Sequence, residues 1–347
     1  MTDLLKFVMN RIGLLFASAV FMVSCAPDYS KLVENRNAGG ALGTSYSIIY
    51  LSVEKQNFQK EIDSVFKAVN KSLSTYLPDS DISKINQGDT TIVVDKMFRE
   101  VFELSKTVNH NTNGYFDPTV GVLVNAWGFG PSSAIVMDST AVDSLLTFVG
   151  FEKIDLTESN RIKKANPNIY IDFNAIAKGY AIDRLAAFLD EKEISNYLIE
   201  VGGELVGKGE NRIKGKPWVV GIDDPQIEKG RRLKILIQLK DRALASSGNY
   251  RKFRIDSITG KKYVHTVDPK SGFTKNGSTL GTTVLASTCG EADAYATAFM
   301  AMDLADARNF LTEQRELDGY IVYLDEQGEA QEFMTEGFEA MVVNPND

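Results

Sequence analysis

The sequence predicts an α+β fold, a single large mixed unit of two closely packed lobes. Apolar residues recur at helical spacing through the first half of the chain, whereas short β-rich runs dominate the second half. No repeat of about 20–50 residues, low-complexity tract or long linker separates the two halves. With 347 residues, 44% of them hydrophobic, the chain can bury one substantial core without dividing into independent domains.

Residues 1–24 read as a lipoprotein signal peptide. Lys6 and Arg11 precede or open an apolar run, Ile12 to Val23, that is too short to span a bilayer comfortably. The run ends in Met22-Val23-Ser24-Cys25, which resembles a lipobox, so Cys25 is the expected lipidation site and the source of a membrane anchor. A plain secretory peptide that happens to contain Cys25 is the alternative. Cys289 is the only other cysteine, so lipidation of Cys25 leaves no intramolecular disulfide. Residues 25–40 are polar, with Asn35-Arg36-Asn37 and Gly39-Gly40, and are expected to form a tether; the folded unit is expected to span 41–347.

Ser45 to Val53 alternates as a strand does. Phe58 to Leu73 places Ile62, Val65, Phe66, Val69 and Leu73 on one helical face. Further helices are expected over Lys96 to Val108 and Ser139 to Val149. A strand over Asn168 to Phe173 then leads into a helix around Ala177 to Leu189, whose inner face carries Ala181, Ile182, Leu185 and Phe188. Strands follow at Tyr197 to Val201, Trp218 to Ile222, Leu233 to Leu239, Tyr250 to Ile255, Tyr263 to Val267 and Thr282 to Leu285. A helix over Glu291 to Met302 comes last.

The formal charge of −8 and pI near 5.1 argue against a general nucleic-acid or anionic-lipid footprint, so an anionic ligand would need a local device. Only His110 and His265 are present, which leaves zinc sites built on paired Cys or His ligands nothing to draw on. There is no G-x-S-x-G elbow, H-E-x-x-H motif or Walker A loop. Gly128-Phe129-Gly130 and Gly207-Lys208-Gly209 lack the third glycine and helical context of a dinucleotide fingerprint.

Four segments could carry chemistry. Asp172 to Tyr180 passes from a strand into a helix with small residues at the joint, where free amides and Lys178 could meet a phosphate; tight packing is the plainer reading. Thr288 and Glu291 form a T-x-x-E capping box, after which Asp293 and Thr297 stand one turn apart on one face. Their oxygens suit Mg²⁺, although such a pair is usually structural. His265 precedes the turn Asp268-Pro269-Lys270-Ser271-Gly272 and could act as a general base or simply be a satisfied strand histidine. Asn113 to Gly121 is either a turn or a wall of aromatics and a carboxylate for a flat ligand.

Taken together the segments resemble the FAD:protein FMN transferases, the ApbE family, over nearly all of the chain after the tether. The likeness runs in order through Gly43-Thr44, Ser74 to Ser83, Phe116 to Gly121 and Trp127 to Pro131. It continues through Asp172 to Tyr180, Gly202-Gly203-Glu204, Ser246 to Tyr250, His265 to Gly272 and Glu291 to Thr297. The resemblance implies mainly antiparallel sheets with flanking helices. It implies FAD contacts at Leu42, Tyr76, Tyr115, Phe116, Asp117, Asp172, Lys178 and the backbone around Val267, and Mg²⁺ held by the Ala175 carbonyl, Asp293 and Thr297. Leu42 departs from the methionine common in the family, at similar volume.

The activity implied is Mg²⁺-dependent transfer of FMN from FAD to a threonine hydroxyl of an acceptor protein, releasing AMP. His265 is the expected base, with Asp268 able to share that role. Acceptors would carry D-x-x-[ST]-G-[AS]-T, as in subunits of the Na⁺-translocating NADH:quinone reductase or Rnf-type complexes, with the enzyme lipid-anchored in the cell envelope and facing the periplasm. Asp268 to Thr274 of this chain, D-P-K-S-G-F-T, approaches that motif by coincidence, since Phe273 replaces its small residue. The alternatives are an FAD pyrophosphatase using water on the same site, or a non-enzymatic FAD-binding lipoprotein; a flavin dehydrogenase ranks behind both because no nicotinamide site is visible.

Overall fold

A computed structural model describes residues 31–227, 230, 232–249, 253–255 and 262–343; the expected signal peptide and Cys25 lie outside them. In chain order the first elements are β1 (Val33–Ala41), β2 (Thr44–Ser52), α1 (Gln59–Leu73), α2 (Asp81–Asn86), α3 (Lys96–Asn111), α4 (Gly121–Ala126) and α5 (Ser139–Leu146). Next come β3 (Ile154–Leu156), β4 (Ile162–Lys164), α6 (Ala177–Glu191), β5 (Tyr197–Val201), β6 (Glu204–Lys208), β7 (Trp218–Asp223) and β8 (Leu233–Leu239). The last are β9 (Arg242–Gly248), β10 (Phe253–Ile255), β11 (Lys262–Val264), β12 (Thr279–Ala286), α7 (Cys289–Ala301), α8 (Leu304–Glu313), β13 (Asp318–Leu324), β14 (Ala330–Met334) and α9 (Glu336–Glu339).

One antiparallel sheet of eight strands, in the order β1-β2-β5-β6-β9-β12-β13-β14, forms the centre. Its two faces are sorted by the period-2 alternation of side chains. Ala243, Ala245, Val284, Ala286 and Ile321 join the core under the helices, while their neighbours Leu244, Leu285, Tyr320 and Val322 join a second core on the opposite face. That second face is closed by the β7–β8 ribbon and α9, through Val220, Ile237, Leu239 and Phe338. A smaller cluster of Leu123, Trp127, Val142, Val149 and Val267 lies apart from both and forms the core of a lesser lobe. The mixed α+β architecture with antiparallel sheets agrees with the sequence reading.

Helix α7 packs directly on β9 and β12, with α6 and α3 against its other sides. Enclosed in this way, it buries 11 of its 13 residues, most of them alanine or aromatic. The small alanines of β9 and α7 let helix and sheet approach closely.

Three expected elements differ in the structure, one of them only in extent, since the strand expected over Tyr263 to Val267 is β11 and ends at Val264. Residues 33–40, expected within a tether, belong to edge strand β1, which pairs with β2 along its full length. The residues this strand turns inward are asparagines, so its alternation is hidden. Asn35 is buried, donating to Ser52 Oγ at 2.7 Å and accepting from Gln56 N at 2.8 Å, and Asn37 Nδ2 donates to Asn57 Oδ1 at 2.7 Å. Asn168 to Phe173 has the inward Ile169, Ile171 and Phe173 of a strand but only one bridge, Tyr170 with Val120. A side chain stands in for its missing neighbour, because Asn86 Nδ2 donates to Ile171 O and Asn86 Oδ1 accepts from Ile171 N, both at 2.8 Å. Of the expected strand Tyr250 to Ile255, residues 253–255 form β10, and 250–252 lie outside the described residues. Strands β3, β4, β6, β9, β13 and β14 and helices α2, α4, α8 and α9 have no counterpart in the sequence pattern.

Asn86→Ala removes both partners of a buried backbone unit and is expected to cost about 1–3 kcal/mol of stability. Equilibrium urea unfolding measures this, and a midpoint equal to that of wild type would show that the Asn86 bridge does not hold the segment.

Candidate active site

A cavity of about 1060 Å³ opens where the lesser lobe meets the helical core. Its floor is the joint between α6 and α7. Gly179 N donates to Asp293 Oδ2 at 3.1 Å, and Asp183 on α6 returns the contact, accepting from Cys289 N at 2.7 Å and Gly290 N at 2.8 Å. Each helix therefore satisfies amides at the start of the other, and α7 gains an acidic group at its positive end. Burial is the main force raising the Asp183 carboxyl, to about 6, with the two amide bonds pulling the other way. Only glycine fits at 179, since a Cβ there would stand 2.2 Å from the Cys289 carbonyl oxygen. Thr288 caps α7 by accepting from Glu291 N, whereas the Glu291 carboxylate turns to Ser287 Oγ, so half of the expected capping box forms.

Asp293 and Thr297 both line the floor, one helical turn apart, and Thr297 Oγ1 lies 3.4 Å from Ser247 Oγ of β9. Asp293 is 4% exposed; burial raises its carboxyl, Lys178 lowers it and Glu204 raises it further. Lys178 Nζ sits 2.6 Å from Glu204 Oε1 at the start of β6. Ala175 lines the same cavity. Among the described residues no group of three or more His, Cys, Asp or Glu gathers as metal ligands. A cation here would use one carboxylate with hydroxyl, carbonyl and water or phosphate oxygens, the hard set that suits Mg²⁺. The buried carboxylate with its raised pKa fits a cation, whose charge would offset the burial penalty.

Leu42 enters the cavity from the tip of the β1–β2 hairpin. Ala41 pairs with Thr44, and the two loop residues Leu42 and Gly43 have φ of 51° and 75°, the left-handed turn that matches strand twist. Glycine takes this conformation freely; leucine holds it at about 1–2 kcal/mol. Tyr76, 53% exposed, stands at the cavity with its hydroxyl raised by partial burial and by the charge of Asp172. Asp172 also accepts from Asn174 N at 2.8 Å, which shapes the approach to α6. Tyr115 lines the cavity with its ring 3.9 Å from Lys270 Nζ, a cation–π contact.

The adjoining residues Phe116 and Asp117 are more deeply built into the wall. Phe116 is buried, and both oxygens of Asp117 are engaged, Oδ1 by Thr119 N and Oγ1 and Oδ2 by Phe151 N. Asp117 thus braces the loop from within the cavity lining.

His265 lines the cavity, partly exposed and edge-on to Phe129. Val267 lines it too and bridges to Thr274. Asp268 does not belong to the lining. Its carboxylate accepts from Lys270 N at 2.9 Å and Ser271 Oγ at 2.8 Å, closing the turn that follows His265. Except for Asp268, every described residue expected at the site lines this one cavity, and Cys25 lies outside the described residues. Sequence reasoning assigned no role to Gly179, Asp183, Glu204 or Ser247. The one local signal was an acidic residue beside an apolar run, as with Asp183 after Ala181-Ile182 and Glu204 before Leu205-Val206.

Gly179→Ala is expected to force α6 and α7 apart, lowering stability by about 1–3 kcal/mol through overpacking against backbone. Thermal unfolding of the variant tests this; an unshifted midpoint would mean that the joint is loose enough to accept a methyl group.

The comparisons with known proteins follow the same lines. A model of the ApbE family matches residues 42–321. The chain is 33% identical over 304 residues to an FAD:protein FMN transferase of Haemophilus influenzae, covering 84% of this chain and 87% of that one. It is 35% identical over 273 residues to a second protein of that name from Vibrio cholerae, covering 76% and 80% of the two chains. The solved flavin transferase ApbE from Vibrio cholerae superposes with a TM-score of 0.78 at 30% identity, over 89% of this chain and 99% of the other. The match of a cavity-bearing fold, ordered motifs and sequence identity over most of the length makes the chain a member of the ApbE family.

Proposed function

We propose that this flavin transferase moves the FMN half of FAD to a threonine hydroxyl of an acceptor protein, with Mg²⁺ bound and AMP released. The observation that carries the reading is the convergence of Asp293, Thr297, Lys178 and His265 on one cavity large enough for a dinucleotide. Bound Mg²⁺ would supply Lewis-acid stabilisation of the pyrophosphate, held by the Asp293 carboxylate, the Thr297 hydroxyl and the Ala175 carbonyl.

The residues of the chain divide the remaining work. Tyr76, Tyr115 and Leu42 give the aromatic and apolar contacts that a flavin or adenine ring needs. Lys178 faces the pyrophosphate from the start of α6 and offsets charge as it accumulates. The acceptor threonine oxygen forms a bond to the FMN-side phosphorus while the bond from that phosphorus to the bridging oxygen breaks, and AMP leaves with the electron pair. His265 takes the threonine proton as the new bond forms. Asp268, occupied by its own turn, serves by holding the segment next to His265.

The same reading takes the acceptor as an envelope protein bearing D-x-x-[ST]-G-[AS]-T, with subunits of Na⁺-translocating NADH:quinone reductase or Rnf-type complexes as the partners to try first. It takes Cys25 as the lipid-bearing residue that keeps the enzyme at a membrane facing the periplasm. Among the described residues no helix is long and apolar enough to cross a membrane.

Intact-mass measurement after incubation with FAD, Mg²⁺ and a motif-bearing acceptor tests the reaction. An FMN adduct on the acceptor supports transfer, whereas FMN and AMP without an adduct would make the protein a pyrophosphatase. In the same assay His265→Ala is expected to slow single-turnover adduct formation by about 10²–10⁴-fold while FAD affinity and thermal midpoint stay near wild type. A rate loss fully explained by weaker FAD binding or unfolding would remove His265 from proton transfer.

A further inference from the structure

The charges around the cavity are unusual for a site that takes a pyrophosphate. Among the described residues, four carboxylates line it, from Asp117, Asp172, Glu204 and Asp293, against one ammonium, that of Lys178. Asp117 and Asp172 have their hydrogen-bonded places in the wall, as described above. Glu204 has a different situation. It is 1% exposed, one oxygen lies 2.6 Å from Lys178 Nζ, and the other is buried without a hydrogen bond. A buried carboxylate with an oxygen left unsatisfied is costly, and its placement is not explained by the strand it begins. Its field also reaches Asp293, where it opposes the effect of Lys178.

Resting on the flavin-transferase reading, we infer that Glu204 is a positioning residue that makes FAD binding depend on the cation. Its carboxylate holds Lys178 at the floor and cancels the ammonium charge. With that charge cancelled, the floor offers a pyrophosphate little net attraction until a divalent cation sits at Asp293. Once the cation is there, Lys178 and the cation act together on the phosphates while Glu204 keeps the ammonium in place. The pair thereby prevents the dinucleotide from settling in the metal-free cavity, where it would be held without the group that supports reaction. By linkage, FAD strengthens cation binding by the same factor as the cation strengthens FAD binding.

The test is a binding experiment and needs no turnover. FAD dissociation constants for the full-length protein are measured by flavin fluorescence in EDTA and in saturating Mg²⁺, and Mg²⁺ affinity is measured without FAD by calorimetry. For wild type, Mg²⁺ should tighten FAD binding by about tenfold or more, the scale of one nearby charge in a partly solvated site. Glu204→Gln keeps the shape and an acceptor for Lys178 but loses the charge. It should bind FAD about tenfold more tightly than wild type in EDTA, bind Mg²⁺ alone more weakly, and show a correspondingly smaller Mg²⁺ effect. Glu204→Asp keeps the charge and should retain most of the Mg²⁺ effect, which a purely shape-filling role would not rescue.

Equal Mg²⁺ effects in wild type and Glu204→Gln would overturn the inference. So would wild-type FAD binding that ignores Mg²⁺, a result that needs no variant to fold. Failure of wild type to bind FAD in either condition would instead strike the flavin-transferase reading itself, and the inference with it.

Discussion

The contact between Gly179 N and Asp293 holds the rest of the site in register. A carboxylate in the first turns of an almost fully buried helix is a liability unless something compensates it, and here an amide from a second helix and a nearby ammonium do so. For the amide to reach, the two helices must come closer than any side chain at 179 would allow. The alanines along α7 and beneath it on β9 serve the same closeness from the sheet side. Asp183 locks the joint from the other direction, so that the position of Asp293 is fixed by backbone rather than by a mobile rotamer.

Other features show stability yielded to the site. Leu42 occupies a left-handed position that asparagine or glycine would take with less strain, and its side chain lines the cavity. Glu204 buries an oxygen with no partner. Both sit at strand ends, β1 into its hairpin and β6 after the Gly202-Gly203 pair, where a rigid sheet presents them to the ligand space. The walls, by contrast, are braced conventionally, with Asp117 and Asp268 each spending a carboxylate on the loop that holds it.

Much of this was legible in the sequence, for physical reasons that differ between elements. Helix α1 declared itself because Ile62, Phe66, Val69 and Leu73 repeat at helical spacing and all are buried. Strand β1 was hidden because its inward residues are asparagines paired within the protein. Residues 168–173 carried a true strand pattern, but their partner is the side chain of Asn86, 85 positions away from Ile171, and no local rule anticipates it. The site was found mainly through the ordered likeness of many motifs to one family; each motif alone had an ordinary structural explanation. Asp183 escaped because its partner amides lie more than 100 residues downstream, and Glu204 because its meaning depends on Lys178 across the chain fold. Asp268 went the other way, since a carboxylate beside a histidine in sequence need not face the same space.

Anomalous diffraction from crystals grown with FAD and Mn²⁺ bears most directly on the assignment of the floor, because Mn²⁺ shares the oxygen preference of Mg²⁺ and can be located by its own signal. The expected result is an anomalous peak ligated by the Asp293 carboxylate, the Thr297 hydroxyl and the Ala175 carbonyl, with the FAD pyrophosphate between it and Lys178. A peak bound elsewhere, or a pyrophosphate lying away from Lys178 and Asp293, would contradict it.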